Sequence, residues 1–130
     1  MRVEAKKTRS PMSKEQRLRR LWSTVADIPP GCVASYGQVA EIAGIPRGAR
    51  QTAYALRHAP AELNLPWFRV ITASGKLAFE EGTASFRKQK KLLADDGVVL
   101  LNGKVNMREY RWEPDLDELL WKPSDTWDED

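Results

Sequence analysis

A tight turn between two short helices constrains the fold of this 130-residue chain more than any other feature. Residues 44–46 read Gly-Ile-Pro, a sequence that ends one helix and turns the chain at once. The first helix begins at a capping-box pattern, in which Ser35 is followed three residues later by Gln38. The second helix spans about residues 47–58 and ends before Pro60. Two short helices joined in this way predict a helix-turn-helix.

Further helices are predicted on both sides of this motif. Ser13 is the predicted cap of a helix that runs to about Asp27. Thr83 begins another helix, which reaches about Asp95 and is ended by Gly97. The first of these helices is amphipathic, because four apolar residues share one face: Leu18, Leu21, Trp22 and Val25.

Two hairpins complete the predicted fold. Residues 68–72 and 75–79 are short apolar-rich segments broken at a Ser-Gly pair, and they are typical of the wing of a winged helix. Residues 98–101 and 104–107 flank Asn-Gly, the strongest short-range hairpin signal. The expected fold class is therefore mostly α with small β hairpins (α+β), a winged helix-turn-helix.

Charge divides the chain into three predicted parts: a flexible basic arm at 1–12, a folded domain at 13–112 and an acidic, tryptophan-containing tail at 113–130. The tail has eight acidic residues and one base, a charge of −7. The other 20 bases and 10 acids give residues 1–112 a charge of +10, since the whole chain has 21 bases and 18 acids. A basic body predicts a polyanion partner. A charged surface that serves only solubility is the alternative.

Composition excludes several other classes of protein. Cys32 and His58 are the single cysteine and histidine, which excludes an internal disulfide and a typical His/Cys zinc site. We expect no metal and no cofactor. The sequence has no apolar run long enough to span a bilayer and no signal peptide, so a reducing, cytoplasmic location is expected. The carboxylate pairs Glu80-Glu81 and Asp95-Asp96 are interpreted as solvated faces, because adjacent residues of a helix or strand do not face each other.

Residues 66–71 read Pro-Trp-Phe-Arg-Val-Ile, which resembles the Pro-Cys-His-Arg-Val active-site motif of O6-alkylguanine-DNA alkyltransferases. The resemblance extends to residues 35–51 and covers roughly residues 13–112. In that family the Cys accepts an alkyl group from a damaged guanine, and the His helps to deprotonate the thiol. Trp67 and Phe68 hold these positions here, and an indole cannot attack a saturated carbon as a thiolate does. The pattern is similar to that of the alkyltransferase-like proteins, which flip alkylated bases without repairing them.

The resemblance implies a set of DNA-contacting residues. Arg50 takes the position of an arginine finger, which enters the minor groove and fills the gap left by the extruded base. Tyr36 takes the position that presses on the 3′ phosphate of the lesion. Arg57 lies near the end of the helix that carries Arg50 and is predicted to contact a phosphate, and Gln51 completes the set. A surface salt bridge for Arg50 and core packing for Tyr36 are the alternatives.

The predicted lesion pocket has aromatic walls. Trp67 and Phe68 suit a flipped purine, because base–aromatic stacking contributes about 1–3 kcal/mol. Tyr36, Val70 and Glu80 are expected to line the same pocket. The alternative for Trp67 and Phe68 is a strand buried in the core.

Neighbouring positions are assigned supporting roles. Arg69 is interpreted as a structural residue that ties the motif to its surroundings. His58 is expected at the surface beside DNA rather than in catalysis, and Tyr54 is a candidate new contact. Ala59 stands where the family carries an Asn of the thiol-activating network, which is a further loss of transfer chemistry.

These residues predict a non-enzymatic protein that binds O6-alkylguanine in duplex DNA, flips the base without alkyl transfer, and marks it for nucleotide excision repair. The expected partners are double-stranded DNA containing alkylated guanine and, by family implication, excision-repair proteins. A monomer in the cytoplasm, associated with the nucleoid, is expected. Two alternatives stay open: a winged-helix transcriptional regulator that reads normal sequence, and an active alkyltransferase with Cys32 as the acceptor.

The sequence of the C-terminal tail allows two interpretations. Residues 115–121 have the spacing of a short amphipathic helix among acidic residues. Docking on its own domain is favoured over binding to a partner, because Trp121 and Trp127 are costly to leave exposed. An acidic tail that folds over a basic groove would inhibit DNA binding at low salt.

Overall fold

The computed structural model describes residues 12–114, which form five α-helices, two short 3₁₀ helices and four short strands. The predicted arm and tail lie, apart from their inner ends, outside these residues, as does the predicted helix at 115–121. None of the described helices is long and apolar enough to cross a membrane. In chain order the elements are α1 (Lys14–Asp27), β1 (Ala34–Ser35), α2 (Tyr36–Ile42), α3 (Ala49–Arg57), the 3₁₀ helices Ala61–Leu63 and Trp67–Arg69, β2 (Val70–Ile71), α4 (Ala84–Asp95), β3 (Leu100–Leu101), β4 (Lys104–Val105) and α5 (Met107–Tyr110).

Helix α1 begins at a complete capping box. The Ser13 hydroxyl accepts a hydrogen bond from the Gln16 amide at 3.1 Å, and the Gln16 side chain accepts one from the Ser13 amide at 2.8 Å. The predicted apolar face is buried or half-buried. From this face the Trp22 indole donates to the carbonyl of Ala55 in α3 at 2.7 Å. The predicted helix is confirmed, and its inner face is fixed against the helix-turn-helix.

Helices α2 and α3 form the predicted helix-turn-helix, although each is shorter than the sequence pattern indicated. The buried Thr52 donates its hydroxyl to the Tyr36 carbonyl at 2.9 Å, which joins α3 to the start of α2. The turn leaves no space at Gly48, where a Cβ would lie 2.7 Å from Cγ2 of Ile45. A side chain at Gly48 would therefore push the two helices apart.

Only half of the predicted capping box at α2 forms. The Ser35 hydroxyl accepts from the Gln38 amide at 3.0 Å, as predicted. The Gln38 side chain, however, donates to the carbonyl of Trp112 at 2.7 Å. Because the side-chain amide of Gln38 is bonded to Trp112 instead of to Ser35, it joins α2 to the end of the described chain.

The prediction of a hairpin between residues 68–72 and 75–79 is wrong. The Thr72 amide donates to the Lys76 carbonyl at 2.9 Å, but this bond closes only a turn, and the strand at 70–71 pairs elsewhere. Strand β2 pairs in parallel with β1, with Ala34 opposite Val70 and Ser35 opposite Ile71. The apolar residues at 70–71 correctly indicated extended backbone. Their partner is a strand some 35 positions earlier in the chain, which no local pattern predicts.

The second arm of that predicted hairpin contributes to the C-terminal hairpin instead. The Gly75 carbonyl accepts from the Val105 amide at 2.8 Å, and Lys76 forms a bridge with Lys104. Gly75 has φ +93°, and a Cβ there would lie 2.5 Å from the Val105 carbonyl oxygen, so a glycine is required. The antiparallel pair β3–β4, with its turn at residues 102–103, confirms the predicted C-terminal hairpin.

The parallel pair lies between two core clusters. Ala34 and Val70 belong to the first core cluster, which is formed with α1, α2 and α3. Val33, just before β1, and Ile71 belong to the second core cluster, which is formed with α4 and the C-terminal hairpin. Because successive strand residues face opposite sides, two very short strands connect both cores.

An ion pair fixes the segment that carries the sequence motif. The Arg69 Nε lies 2.7 Å from Asp96 Oδ2, and a second guanidinium nitrogen donates to the other oxygen at 3.1 Å. The third donates to the carbonyl of Ile28 at 3.0 Å. The predicted structural role of Arg69 is confirmed. The interpretation of Asp95-Asp96 as a solvated pair is wrong for Asp96, whose side chain is 11% exposed, and holds for Asp95 at 61%.

We expect the substitution Asp96→Asn to destabilise the fold by about 3 kcal/mol, because it leaves the largely buried Arg69 without a counter-ion. The adjacent Asp95→Asn is the matched control, with an expected effect of about 0.5 kcal/mol or less for an exposed pair. Urea unfolding of the three proteins measures both values. Equal effects at the two positions would contradict the anchoring role.

The same variant has a predicted pH dependence. The hydrogen bond and charge of Arg69 lower the pKa of Asp96, against the opposing effect of burial. A lowered pKa stabilises the fold above the ordinary value of 3.8, and the contribution is lost as pH falls below it. The stability difference between the parent chain and Asp96→Asn should therefore shrink in acid. A difference that stays constant down to pH 3 would exclude this linkage.

Candidate nucleic-acid interface

Helix α3 presents a polar face to solvent. Arg50, Gln51 and Arg57 are exposed, whereas Thr52 and Ala55 are buried beneath them. Arg50 and Arg57 are two turns apart, which places both guanidiniums on one side of the helix about 10 Å apart along its axis. The structure therefore brings the three predicted polar DNA-contacting residues of α3 onto one exposed surface.

Tyr54 lies in the middle of this surface in a stacked arrangement. The Lys14 ammonium is 4.9 Å from the Tyr54 ring centre, and the His58 ring is 4.1 Å from it at an interplanar angle of 30°. His58 is exposed, as predicted. The stack attaches the start of α1 to α3, which the sequence did not indicate because the two segments are forty residues apart.

Tyr36 is half-buried at the first turn of α2 and packs against the first core cluster. Burial raises the pKa of its phenol, while the nearby positive charge of Arg57 lowers it to a smaller extent. The hydroxyl therefore stays protonated at neutral pH and is a hydrogen-bond donor. Tyr36 therefore packs in the core, which was the alternative role predicted for it, and it also lies close to Arg57.

Trp67 is half-buried and surrounded by aromatic rings. Phe68 contacts it edge-on at 5.9 Å between ring centres, and Phe79 does so at 6.4 Å. Phe79 is 41% exposed, and its sequence context predicted only a strand residue. A cavity of about 260 Å³ lies beside the indole, lined by Leu56, Ala59, Pro60, Ala61, Asn64, Leu65 and Trp67.

The other predicted pocket residues occupy different environments. Phe68 is half-buried on the second core cluster, with the Arg69 guanidinium 5.1 Å from its ring centre. Val70 is 1% exposed in the first cluster, so its side chain does not reach the cavity beside Trp67. Glu80 is exposed at a turn, where its carbonyl accepts from Thr83. The structure thus brings Trp67 and Phe68 together and places Val70 in the core.

Cys32 lies apart from the aromatic cluster around Trp67. Cys32 is half-buried against the first core cluster in the loop after α1 and is absent from the described lining of the Trp67 cavity. Within residues 12–114, no three His, Cys, Asp or Glu side chains gather as a metal site would require.

A family model describing the DNA-binding domain of 6-O-methylguanine DNA methyltransferase matches residues 16–98. The chain belongs to this family. The resemblance inferred from the motifs is confirmed, and so is the mostly helical α+β, winged-helix-like fold.

Relatives and solved structures in this family are similar over most of the chain. The Escherichia coli DNA base-flipping protein is 39% identical over 94 residues, which cover 72% of each chain. Alkyltransferase-like protein 1 of Schizosaccharomyces pombe is 34% identical over 100 residues, covering 73% of this chain and 93% of the relative. The crystal structure of S. pombe Atl1 with damaged DNA containing O6-carboxymethylguanine matches with a TM-score of 0.71 at 32% identity. That match covers 79% of this chain and all of the Atl1 chain.

Proposed function

We propose that this protein is a non-enzymatic sensor of O6-alkylguanine in duplex DNA. The observation that carries the proposal is the replacement of the acceptor Cys of the alkyltransferase motif by Trp67. The segment that holds it retains the structural Arg69 of that motif. The protein therefore keeps the framework of a base-binding site and lacks a thiol at its centre.

The aromatic surroundings of Trp67 suit binding rather than transfer. An indole has no ionisable nucleophile, and Phe68 has no nitrogen that accepts a proton, so neither step of thiol activation is available. Stacking on an aromatic side chain contributes about 1–3 kcal/mol per base. This is comparable with the few kcal/mol needed to take a base out of the duplex.

In this proposal α3 binds in the minor groove, and Arg50 occupies the space vacated by the extruded base. The planar guanidinium both stacks like a base and donates hydrogen bonds to the unpaired cytosine. Arg57 and the protonated phenol of Tyr36 supply charge and a hydrogen bond to phosphates, and Gln51 contacts the same groove. The basic charge of the folded domain supports binding to the DNA phosphates.

The relatives support the same activity. One is named a DNA base-flipping protein, and the S. pombe neighbour was solved with DNA that contains an O6-alkylguanine. We further propose that the protein acts as a monomer in the cytoplasm, associated with the nucleoid, and that the bound lesion marks the site for excision-repair proteins. This hand-over follows from the absence of transfer, because a lesion that is bound but unrepaired requires a second activity to remove it.

The test is binding to a duplex with one O6-methylguanine against the same duplex undamaged, at two salt concentrations, followed by intact-protein mass. We expect preference for the lesion with no change in protein mass. Equal, salt-sensitive affinity for both duplexes would instead indicate a sequence-reading or general DNA binder. A mass increase located on Cys32 would identify an alkyltransferase.

The substitution Arg50→Ala should reduce discrimination between the lesion and undamaged DNA by about tenfold, because one stacked, hydrogen-bonded group commonly contributes about 1–3 kcal/mol at such interfaces. Arg19→Ala is the matched control, since Arg19 is an exposed arginine of α1 that lies outside the α3 surface. Discrimination that is unchanged in Arg50→Ala would remove Arg50 from the role of base replacement.

Restoring a thiol should not restore transfer. We expect Trp67→Cys to show no gain in mass after incubation with O6-methylguanine DNA, because Phe68 cannot activate the thiol. The double variant Trp67→Cys with Phe68→His supplies both groups and is the comparison. Methylation of the single variant at a rate similar to that of the double variant would show that the loss of the base is unimportant.

A further inference from the structure

A groove between α1 and α3 has a basic rim and an apolar floor. It encloses about 280 Å³ and begins where the Lys14–Tyr54 contact joins the two helices. Arg50 and Gln51, two residues of the proposed DNA surface, form part of its wall. No acidic side chain is among the described residues that line it: Lys14, Arg17, Leu18, Leu21, Arg50, Gln51 and Tyr54.

The C-terminal segment has the complementary composition. Residues 115–130 contain seven acidic residues and one lysine, which gives a charge of −6. The same segment carries two tryptophans and three leucines. Leu116, Leu119 and Leu120 have the spacing of one helical face, with acidic residues between them. An acidic segment with an apolar face matches a groove with cationic edges and an apolar floor.

We propose that residues 115–130 dock in this α1–α3 groove of their own chain and there exclude DNA. The docking follows from the complementarity of charge and apolar surface. The exclusion rests on the proposed function, because it requires that Arg50 and Gln51 contact DNA. The tail then sets a threshold, since only DNA that binds strongly enough to displace it reaches α3.

The attachment of the tail allows this contact. Trp112 is fixed by its amide bond to the Val33 carbonyl at 2.7 Å and by the Gln38 side chain on its own carbonyl. Its side chain belongs to the same core cluster as Leu21, which lines the groove. Sixteen extended residues span about 50 Å, whereas a domain of about 100 residues has a radius of gyration near 13 Å. The tail therefore reaches the groove with length to spare.

Two other cavities fit the tail less well. The cavity beside Trp67 has no charged residue in its described lining, so it offers nothing to the carboxylates. The cavity that contains Arg87 and Lys90 also contains Glu81, which repels an acidic segment. The α1–α3 groove is favoured because its described lining has three cationic residues and no acidic one. Since the tail is tethered, even weak complementarity is effective at its high local concentration.

The test uses the whole 130-residue chain with Leu119→Ser and Leu120→Ser, which remove two apolar groups of the tail without changing its charge. We expect the backbone amide NMR signals of Lys14, Arg17, Gln51 and Tyr54 to shift relative to the parent chain, and those around Trp67 to stay in place. Undamaged duplex should bind the variant at least about fivefold more tightly at low salt, because a tail that occupies the groove about 80% of the time weakens the apparent affinity about fivefold.

A rim variant tests the contact from the other side. Arg17→Glu should shift the amide signals of residues 116–121, whereas Arg19→Glu on the same helix but outside the groove should leave them unchanged. Tail signals that respond equally to the two variants would reduce the contact to general electrostatics and overturn the proposal. Both substitutions reverse one charge on α1, and each removes one contact of that helix, from Arg17 to the Met12 carbonyl or from Arg19 to Glu15.

The remaining outcomes separate docking from DNA exclusion. If no amide signals of the groove shift, or if the shifts appear on another surface, the docking is overturned. Shifts that grow with protein concentration identify the tail of a second copy as the occupant and also overturn it. Groove shifts without a change in DNA affinity overturn the exclusion. If neither the parent chain nor the variant prefers the lesion over undamaged DNA, the proposed function is refuted. The NMR result still decides the docking in that case.

Discussion

The Arg69–Asp96 ion pair is the interaction on which the geometry of the site depends. Arg69 closes the 3₁₀ helix that contains Trp67, and its guanidinium joins the end of α4 to the loop that follows α1. The fully buried Gln89 of α4 adds a second attachment, because its amide donates to the Phe68 carbonyl at 2.9 Å. Charge-assisted, bidentate hydrogen bonds of this kind have little freedom of geometry. The indole is therefore presented from a segment that is fixed at several points.

The parallel pair of β1 and β2 extends this constraint to the helix-turn-helix. β1 leads directly into α2 at Tyr36, and β2 follows directly after Arg69. The register of Ala34 with Val70 thus sets the distance between the helix-turn-helix and the aromatic cluster. Because each strand contributes side chains to both cores, a shift in register would disturb the two clusters together.

Much of this architecture could be predicted from local sequence, and the rest could not for a physical reason. The caps at Ser13 and Thr83 and the turn at residues 102–103 act over three or four residues, so their patterns are visible in the chain. The parallel pair, the Gln38–Trp112 bond and the burial of Asp96 depend on partners 27 to 74 positions away. Sequence patterns of hydrophobicity and charge do not identify such partners.

The same limit applies to the candidate site. The residue types at 36, 50 and 67 indicated a DNA-binding surface with an altered reactive centre, and the exposed face of α3 agrees with that reading. The edge contact of Phe79 with Trp67 and the groove formed with α1 arise from folding. Val70 is buried because both sides of β2 face a core, which its position in the motif does not indicate.

The indole at position 67 also determines how many lesions one protein molecule can bind in its lifetime. A thiol that accepts an alkyl group is consumed, so each protein molecule handles one lesion and must then be replaced. An indole leaves the encounter chemically unchanged. Under the proposed function, the number of lesions that a cell can process depends on how quickly each complex dissociates after hand-over. A small, constant pool of protein can then examine a whole genome repeatedly.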